Sequence, residues 1–136
     1  MLDVLNISTL AFLGYIDYVS YKIPNVILGG WIVVLVLENI MTNSTSQITH
    51  TSLIASLLVA GSYFPLNHIV KCNAGDFKLY GVLTLSKGLD DSLIIILISS
   101  LISFFPIAGG KEKVPMAFMT FFGYIAFIIL RDGRLL

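Results

Sequence analysis

The chain has 136 residues, of which 57% are hydrophobic and 12% charged, and its formal net charge is zero. Soluble domains carry about 25% charged residues, so this composition indicates an integral membrane protein. The zero net charge gives no electrostatic indication of nucleic-acid binding. The single cysteine, Cys72, excludes an internal disulfide and any site built on paired cysteines.

Uncharged intervals divide the chain into predicted helices. In chain order they are residues 4–16, 23–37, 52–70, 77–86, 92–110 and 114–130, and the polar residues 43–51 are predicted to form a loop. A bilayer core needs about 20 helical residues, with about 17 acceptable, so the ten residues 77–86 are predicted as a short crossing. The N-terminus lacks a positive n-region, so the first helix is expected to be retained. The predicted fold is all-α: a single membrane-helix bundle over residues 1–136 with about six crossings.

The distribution of Lys and Arg residues predicts which side of the membrane each loop lies on. With the N-terminus outside, five lysines fall on the cytoplasmic side and three basic residues fall outside, in agreement with the positive-inside rule. The cytoplasmic set is Lys22, Lys71, Lys78, Lys111 and Lys113, and the outer set is Lys87, Arg131 and Arg134. The C-terminal RDGRLL opposes this orientation. The topology places the stretches around Asp17, Asp76 and Pro115 on one face of the membrane.

The first of these stretches is DYVSYKIPN, residues 17–25. Asp17 is predicted to end the first helix. Pro24 and Asn25 are predicted to open the second helix, because proline suits a first helical turn and asparagine suits a cap. Lys22, between them, is predicted to anchor the chain at the cytoplasmic interface.

The second stretch is NAGDFKL, residues 73–79. Gly75 is expected to let the backbone turn tightly. Asp76 then stands at or near a helix N-terminus, where the helix dipole favours its charged form. Lys78 is two positions from Asp76 and points to another helix face, so it is predicted as a second anchor.

Two facing carboxyl groups suit peptide hydrolysis. Like charges a few ångströms apart do not both ionise easily, so one group keeps a proton. The ionised group activates water, and the protonated group polarises the scissile carbonyl and protonates the leaving amine. Such a pair titrates as a unit, so acid and base are not assigned to either residue. Spacing alone, however, favours two helix caps or interfacial charges.

The stretches 17–25 and 73–79 resemble the two active-site motifs of the type IV prepilin peptidases, membrane aspartic proteases of the Gly-x-Gly-Asp class. A third stretch, KVPMAFMTFFG (113–123), is similar to a later helix start of that family, with Pro115 and Gly123 among the best matches. The order and spacing of the three stretches match the family over nearly the whole chain.

The resemblance makes Asp17 and Asp76 the catalytic pair. It implies a supporting set of motif residues: Lys22, Pro24, Asn25, Asn73, Gly75, Lys78 and Pro115. Asn73 departs from the motif, because it stands where the first glycine of Gly-x-Gly-Asp is expected. Asparagine tolerates a left-handed backbone better than most residues, so the turn is expected to survive.

The resemblance also implies a function. The expected enzyme is a multi-pass protein of the cytoplasmic (inner) membrane that removes leaders from type IV or Flp-like prepilins at the cytoplasmic face. Its expected partners are the lipid bilayer and prepilin precursors with a hydrophobic N-terminal helix, and no metal or organic cofactor is implied. The paired cysteines of larger members are absent, so a short peptidase-only form without methyltransferase activity is expected, as in tight-adherence pili; archaeal preflagellin peptidases are a related short form.

Two other functions could use the same aspartates. One is a non-catalytic scaffold of a pilus machine, which the departure at Asn73 keeps open. The other is a small carrier in which Asp17 and Asp76 bind a proton or cation. A carrier is expected to hold acids near the bilayer midplane on broken helices, often within an inverted repeat. Here both acids lie at predicted segment ends, and no repeat is evident.

Overall fold

A computed structural model of the chain describes residues 2–41, 50–69, 73–110 and 113–133. Those ranges are mainly α-helical and contain no strand, which confirms the predicted all-α class. The helices in them are α1 (Leu2–Ser20), α2 (Asn25–Met41), α3 (His50–Gly61), α4 (Tyr63–Ile69), α5 (Ala74–Lys87), α6 (Leu89–Ala108) and α7 (Met116–Asp132).

The helix bounds differ from the predicted intervals in one informative place. The described part of the interval 52–70 forms two helices, α3 and α4, with a turn at Ser62 between them. Pro65 explains the break, because proline has no N–H to donate and its ring clashes with the carbonyl four residues earlier. α6, by contrast, continues through Pro106.

Several predictions concern residues outside the described ranges. They include most of the loop 43–51 and three of the charges used for the topology: Lys71, Lys111 and Arg134. The end of that loop is corrected, because α3 already begins at His50.

The chain divides into two compact units. Unit 1 is Met1–Lys22 with Leu93–Leu136, and unit 2 is Ile23–Ser92. In unit 1, α1 packs against α7; in unit 2, α5 packs against α3 and α2. The single domain over residues 1–136 stays a prediction.

In unit 1, a buried polar cluster holds the start of α1 against the end of α7. The Tyr124 hydroxyl donates to Oδ1 of Asp3 at 2.7 Å and accepts from Nδ2 of Asn6 at 3.1 Å. Arg131 donates to the other carboxylate oxygen of Asp3 at 3.3 Å. Asn6 and Tyr124 are fully buried. Because the first turn of α1 meets the last turn of α7, the two helices run antiparallel.

In unit 2, α5 is covered by protein along most of its length, since the eight consecutive residues 79–86 are buried. Gly81 allows part of this close packing: a Cβ there would lie 3.0 Å from the Cβ of Ala60. The Ser56 hydroxyl donates to the Gly81 carbonyl at 2.7 Å. The short predicted segment 77–86 therefore lies within a longer helix, α5, and most of that segment is covered by protein.

The outward face of α6 is more apolar than its inward face. Large apolar side chains at positions 93, 97, 101, 104 and 105 are exposed, whereas Ser92, Ser99 and Ser103 are buried. Among the described residues, α6 is long and apolar enough to cross a membrane, and Asn25–Met41 and Thr51–Leu66 are apolar but shorter. An apolar exterior over a partly polar interior is the pattern expected of a helix in lipid.

Tyr124→Phe tests the polar cluster. The substitution removes both hydrogen bonds of the hydroxyl, to Asn6 and Asp3. We expect the free energy of unfolding to fall by about 1–3 kcal/mol, measured by denaturation in detergent micelles. Tyr15→Phe is the matched control, because Tyr15 is exposed. Equal stability of the two variants would contradict a stabilising role of the cluster.

Candidate active site

Asp17 lies in the last turn of α1, which continues to Ser20, so the prediction that the helix ends at Asp17 is corrected. The helix stops at Tyr21, whose φ of 52° is left-handed. The Tyr21 N–H still bonds to the Asp17 carbonyl at 2.8 Å. A left-handed residue after the last turn is a common helix ending, although glycine usually supplies it.

The Asp17 side chain caps another helix. Its Oδ2 accepts the backbone N–H of Ala117, in the first turn of α7, at 2.9 Å. First-turn N–H groups have no partner within their own helix, and the N-cap of α7, Pro115, makes no side-chain cap bond. The carboxyl of Asp17 therefore acts as a cap from a residue 100 positions away. This bond joins the stretches 17–25 and 113–123 within unit 1.

Burial decides the electrostatics of Asp17, which is 2% exposed. Asp17 follows the uncharged interval 4–16, so it stands outside the predicted membrane-spanning part of α1. Burial raises the pKa of its carboxyl above the ordinary value, and the hydrogen bond from Ala117 lowers the pKa by a smaller amount. The group therefore holds a proton at a higher pH than an exposed aspartate does.

Aromatic rings pack beside this contact. The Tyr18 and Phe118 rings lie 5.2 Å apart, and the Phe118 and Phe122 rings lie 5.0 Å apart. Tyr18 follows Asp17 in α1 and Phe118 follows Ala117 in α7, so the ring pair helps to hold the two helices in the register that the hydrogen bond needs.

Asp76 lies in the first turn of α5, as predicted. The N-cap is Asn73, whose side chain accepts the Gly75 N–H at 3.2 Å. The Asp76 N–H bonds to the Asn73 carbonyl at 3.2 Å. Asn73 has φ −85° and ψ 121°, so the expected left-handed backbone is wrong: the asparagine serves as a helix cap.

Gly75 also differs from its predicted role. It lies within α5, and the described glycines with positive φ are Gly88 and Gly110, so Gly75 does not make a left-handed turn. It instead leaves room for a neighbour in unit 2: a Cβ on Gly75 would lie 3.3 Å from the Cβ of Ile23.

Lys78 connects the two motif stretches within unit 2. Its Nζ donates to Oδ1 of Asn25, the first residue of α2, at 3.1 Å. Pro24 directly precedes α2, and its carbonyl accepts the N–H groups of Ile27 and Leu28. α2 therefore opens at Pro24 and Asn25 as predicted, but their roles differ from the prediction: Pro24 precedes the helix, and Asn25 is its first helical residue rather than its cap. The Lys22 side chain is exposed, and its role as an anchor stays a prediction.

Two contributors to the surroundings of Asp17 were not predicted. The Ala117 N–H leaves no side-chain signal in a sequence. Gly14 packs against Phe118, and its position three residues before Asp17 puts it on the same helix face. That spacing is the signal that could have indicated Gly14.

Across the described ranges, no group of three or more His, Cys, Asp or Glu residues could hold a metal ion.

The model of the type IV leader peptidase family matches residues 4–108, which is most of the chain. The chain belongs to the type IV leader peptidase family. No curated protein and no solved structure matches it. The matched range contains both Asp17 and Asp76 and ends before 113–123, so the likeness of that third stretch stays a prediction. Family membership and the apolar helix α6 together indicate a membrane protein of a peptidase family.

Replacing Asn73 tests its role as a cap. Asn73→Ala removes the acceptor of the Gly75 N–H, and we expect it to destabilise the protein by about 1 kcal/mol. Asn73→Gly, which introduces the glycine expected from the resemblance, should cost only a few tenths of a kcal/mol. Denaturation of both variants in micelles measures the difference. Equal losses for alanine and glycine would contradict the capping role.

Proposed function

We propose that the chain is an aspartic endopeptidase that removes leader peptides from type IV or Flp-like prepilins at the cytoplasmic face of the inner membrane. The observation that carries this proposal is the family match over residues 4–108, because that range contains both Asp17 and Asp76. The resemblance of the motif stretches around these aspartates to those of aspartic proteases supports the aspartic type of mechanism.

In the proposed mechanism Asp17 and Asp76 share the work of acid and base. One carboxyl group is ionised and takes a proton from the attacking water. The other carries a proton, polarises the scissile carbonyl and then protonates the leaving amine. Burial of Asp17 supports this scheme, because a buried carboxyl group keeps a proton more readily than an exposed one.

The surroundings of Asp17 restrict how it can act. Its Oδ2 accepts the Ala117 amide, so Oδ1 is the oxygen proposed to exchange protons with water or substrate. Because Asp17 is 2% exposed, a substrate reaches it only after neighbouring groups move. An opening step therefore precedes cleavage in this scheme.

A membrane substrate agrees with the composition of the surface. The outward face of α6 carries Leu97, Leu101 and Phe105, which lipid covers at no cost. A prepilin presents a hydrophobic helix in the same bilayer, and the peptide bond where that helix meets its leader is accessible at the membrane edge. The proposed cytoplasmic placement rests on the lysines of the predicted topology, including Lys22 and Lys78.

The scaffold function uses the same contacts without chemistry. Asp17 caps α7, and Asp76 stands in the first turn of α5, where a negative charge stabilises a helix. Both arrangements would be useful in a protein that cuts nothing. Cleavage is therefore the property that separates the two functions.

Co-expression with an Flp-type prepilin tests the proposal. Membranes containing the wild type should show the shortened pilin by gel and by N-terminal mass. Asp17→Asn and Asp76→Asn should each lower cleavage by at least about 10²-fold, because general acid–base catalysis contributes about that much or more. An asparagine at position 17 can still accept the Ala117 amide, so that variant should accumulate normally.

Asp90→Asn is the matched control, because Asp90 is exposed in the first turn of α6. It should cleave as the wild type does. If Asp17→Asn and Asp76→Asn also cleave as the wild type does, the two-carboxylate mechanism is wrong. If the wild type cuts neither an Flp-type nor a second class of prepilin, the scaffold function is favoured.

A further inference from the structure

α1 and α7 approach closely at Gly14 in unit 1. A Cβ at this position would lie 3.1 Å from the Phe118 Cα and 3.5 Å from both the Phe118 N and the Ala117 carbonyl oxygen. All three are backbone atoms, so no side-chain rotation can relieve the contact. Any side chain at position 14 requires the first turn of α7 to move.

The close approach and the Asp17 hydrogen bond involve the same turn of α7. Gly14 is three residues before Asp17 on α1, so both face α7. Phe118, which Gly14 contacts, follows Ala117, which donates to Asp17. A displacement of a few tenths of an ångström would lengthen the 2.9 Å bond towards the limit of about 3.2 Å for a good N–H···O bond.

α7 has little room to absorb such a displacement. A Cβ on Gly123 would lie 3.0 Å from the Ser99 N and 3.1 Å from the Ile95 carbonyl oxygen, so α7 also approaches α6 closely at this position. Gly123 is five and six residues beyond Phe118 and Ala117, which is a rotation of about 140° to 240° around the helix. The two close contacts are therefore on roughly opposite sides of α7.

We infer that Gly14 is a positioning residue for Asp17: its missing side chain lets the first turn of α7 donate the Ala117 amide to the carboxyl group. The inference rests on the proposed function. The bond fixes which oxygen of Asp17 is engaged and which is left for the reaction. Gly14 itself touches neither water nor substrate in this scheme and acts through α7.

Gly14→Ala is the test, with Gly29→Ala as the matched control. A Cβ on Gly29 meets no atom within 4 Å, so the control makes the same chemical change in a helix with open space. For Gly14→Ala we expect kcat to fall by about 10- to 100-fold with KM changed less than about twofold, because orientation acts on the reacting group. Gly29→Ala should match the wild type in both constants.

A second readout reports the contact without relying on cleavage. In protein labelled with ¹⁵N-alanine, the Ala117 amide resonance should move in Gly14→Ala and stay in place in Gly29→Ala. A second variant, Ala117→Pro, removes the donor directly, and proline is accepted in a first helical turn. Ala117→Pro should lower kcat as Gly14→Ala does. It replaces Gly14→Ala in the kinetic test if that variant fails to accumulate in the membrane.

The outcomes separate the inference from the proposed function. If the wild type cleaves and Gly14→Ala keeps its kcat and its Ala117 resonance, the inference is overturned. A loss of kcat without movement of the resonance also overturns it, because the effect then bypasses the amide. If the wild type cleaves nothing, the proposed function fails, and the inferred effect of Gly14 on cleavage fails with it. Movement of the resonance would then show only a structural contact.

Discussion

The hydrogen bond between the Asp17 carboxyl and the Ala117 amide is the constraint on which unit 1 depends. This hydrogen bond joins residues that are 100 positions apart in the chain, and it is buried. A buried polar group without a partner is costly, so α1 and α7 are held in the one register that keeps this bond. At the other end of the pair, Asp3, Asn6 and Tyr124 form the second polar anchor. Two anchors at opposite ends leave the helices little freedom to slide.

Polar contacts carry much of the helix association in this chain. Thr84 and Ser92 are fully buried and share a hydrogen bond of 3.1 Å, and Ser56 bonds to the backbone of α5. Lipid is as apolar as leucine, so burying leucine between helices in a membrane gains little. Small residues and hydrogen bonds then decide which helices meet. The glycines at 81 and 123 fit this account, because each stands where a neighbouring helix approaches closely.

The motif residues serve the fold as well as the proposed chemistry. Asn73 caps α5, Lys78 bonds to the first residue of α2, and Asp17 caps α7. A catalytic carboxyl group works only if its orientation is maintained, and helix starts offer fixed N–H groups for that purpose. In this chain, a motif at a helix end thus combines a structural bond with the group that is proposed to react.

The sequence by itself determined the helical class, the approximate helix positions, the place of Asp76 in a first turn and the start of α2 at Asn25. These features follow from local causes: uncharged stretches, proline and helix caps act over a few residues. The tertiary structure alone decided that Asp17 meets Ala117, that Asn73 caps with an extended backbone, and that Gly75 and Gly14 serve close packing. Most of those features are contacts with backbone atoms of residues that are distant in the sequence. Every residue except proline has a backbone N–H, and every glycine lacks a Cβ, so the sequence does not show which of them will meet a distant atom. Only the folded chain shows those contacts.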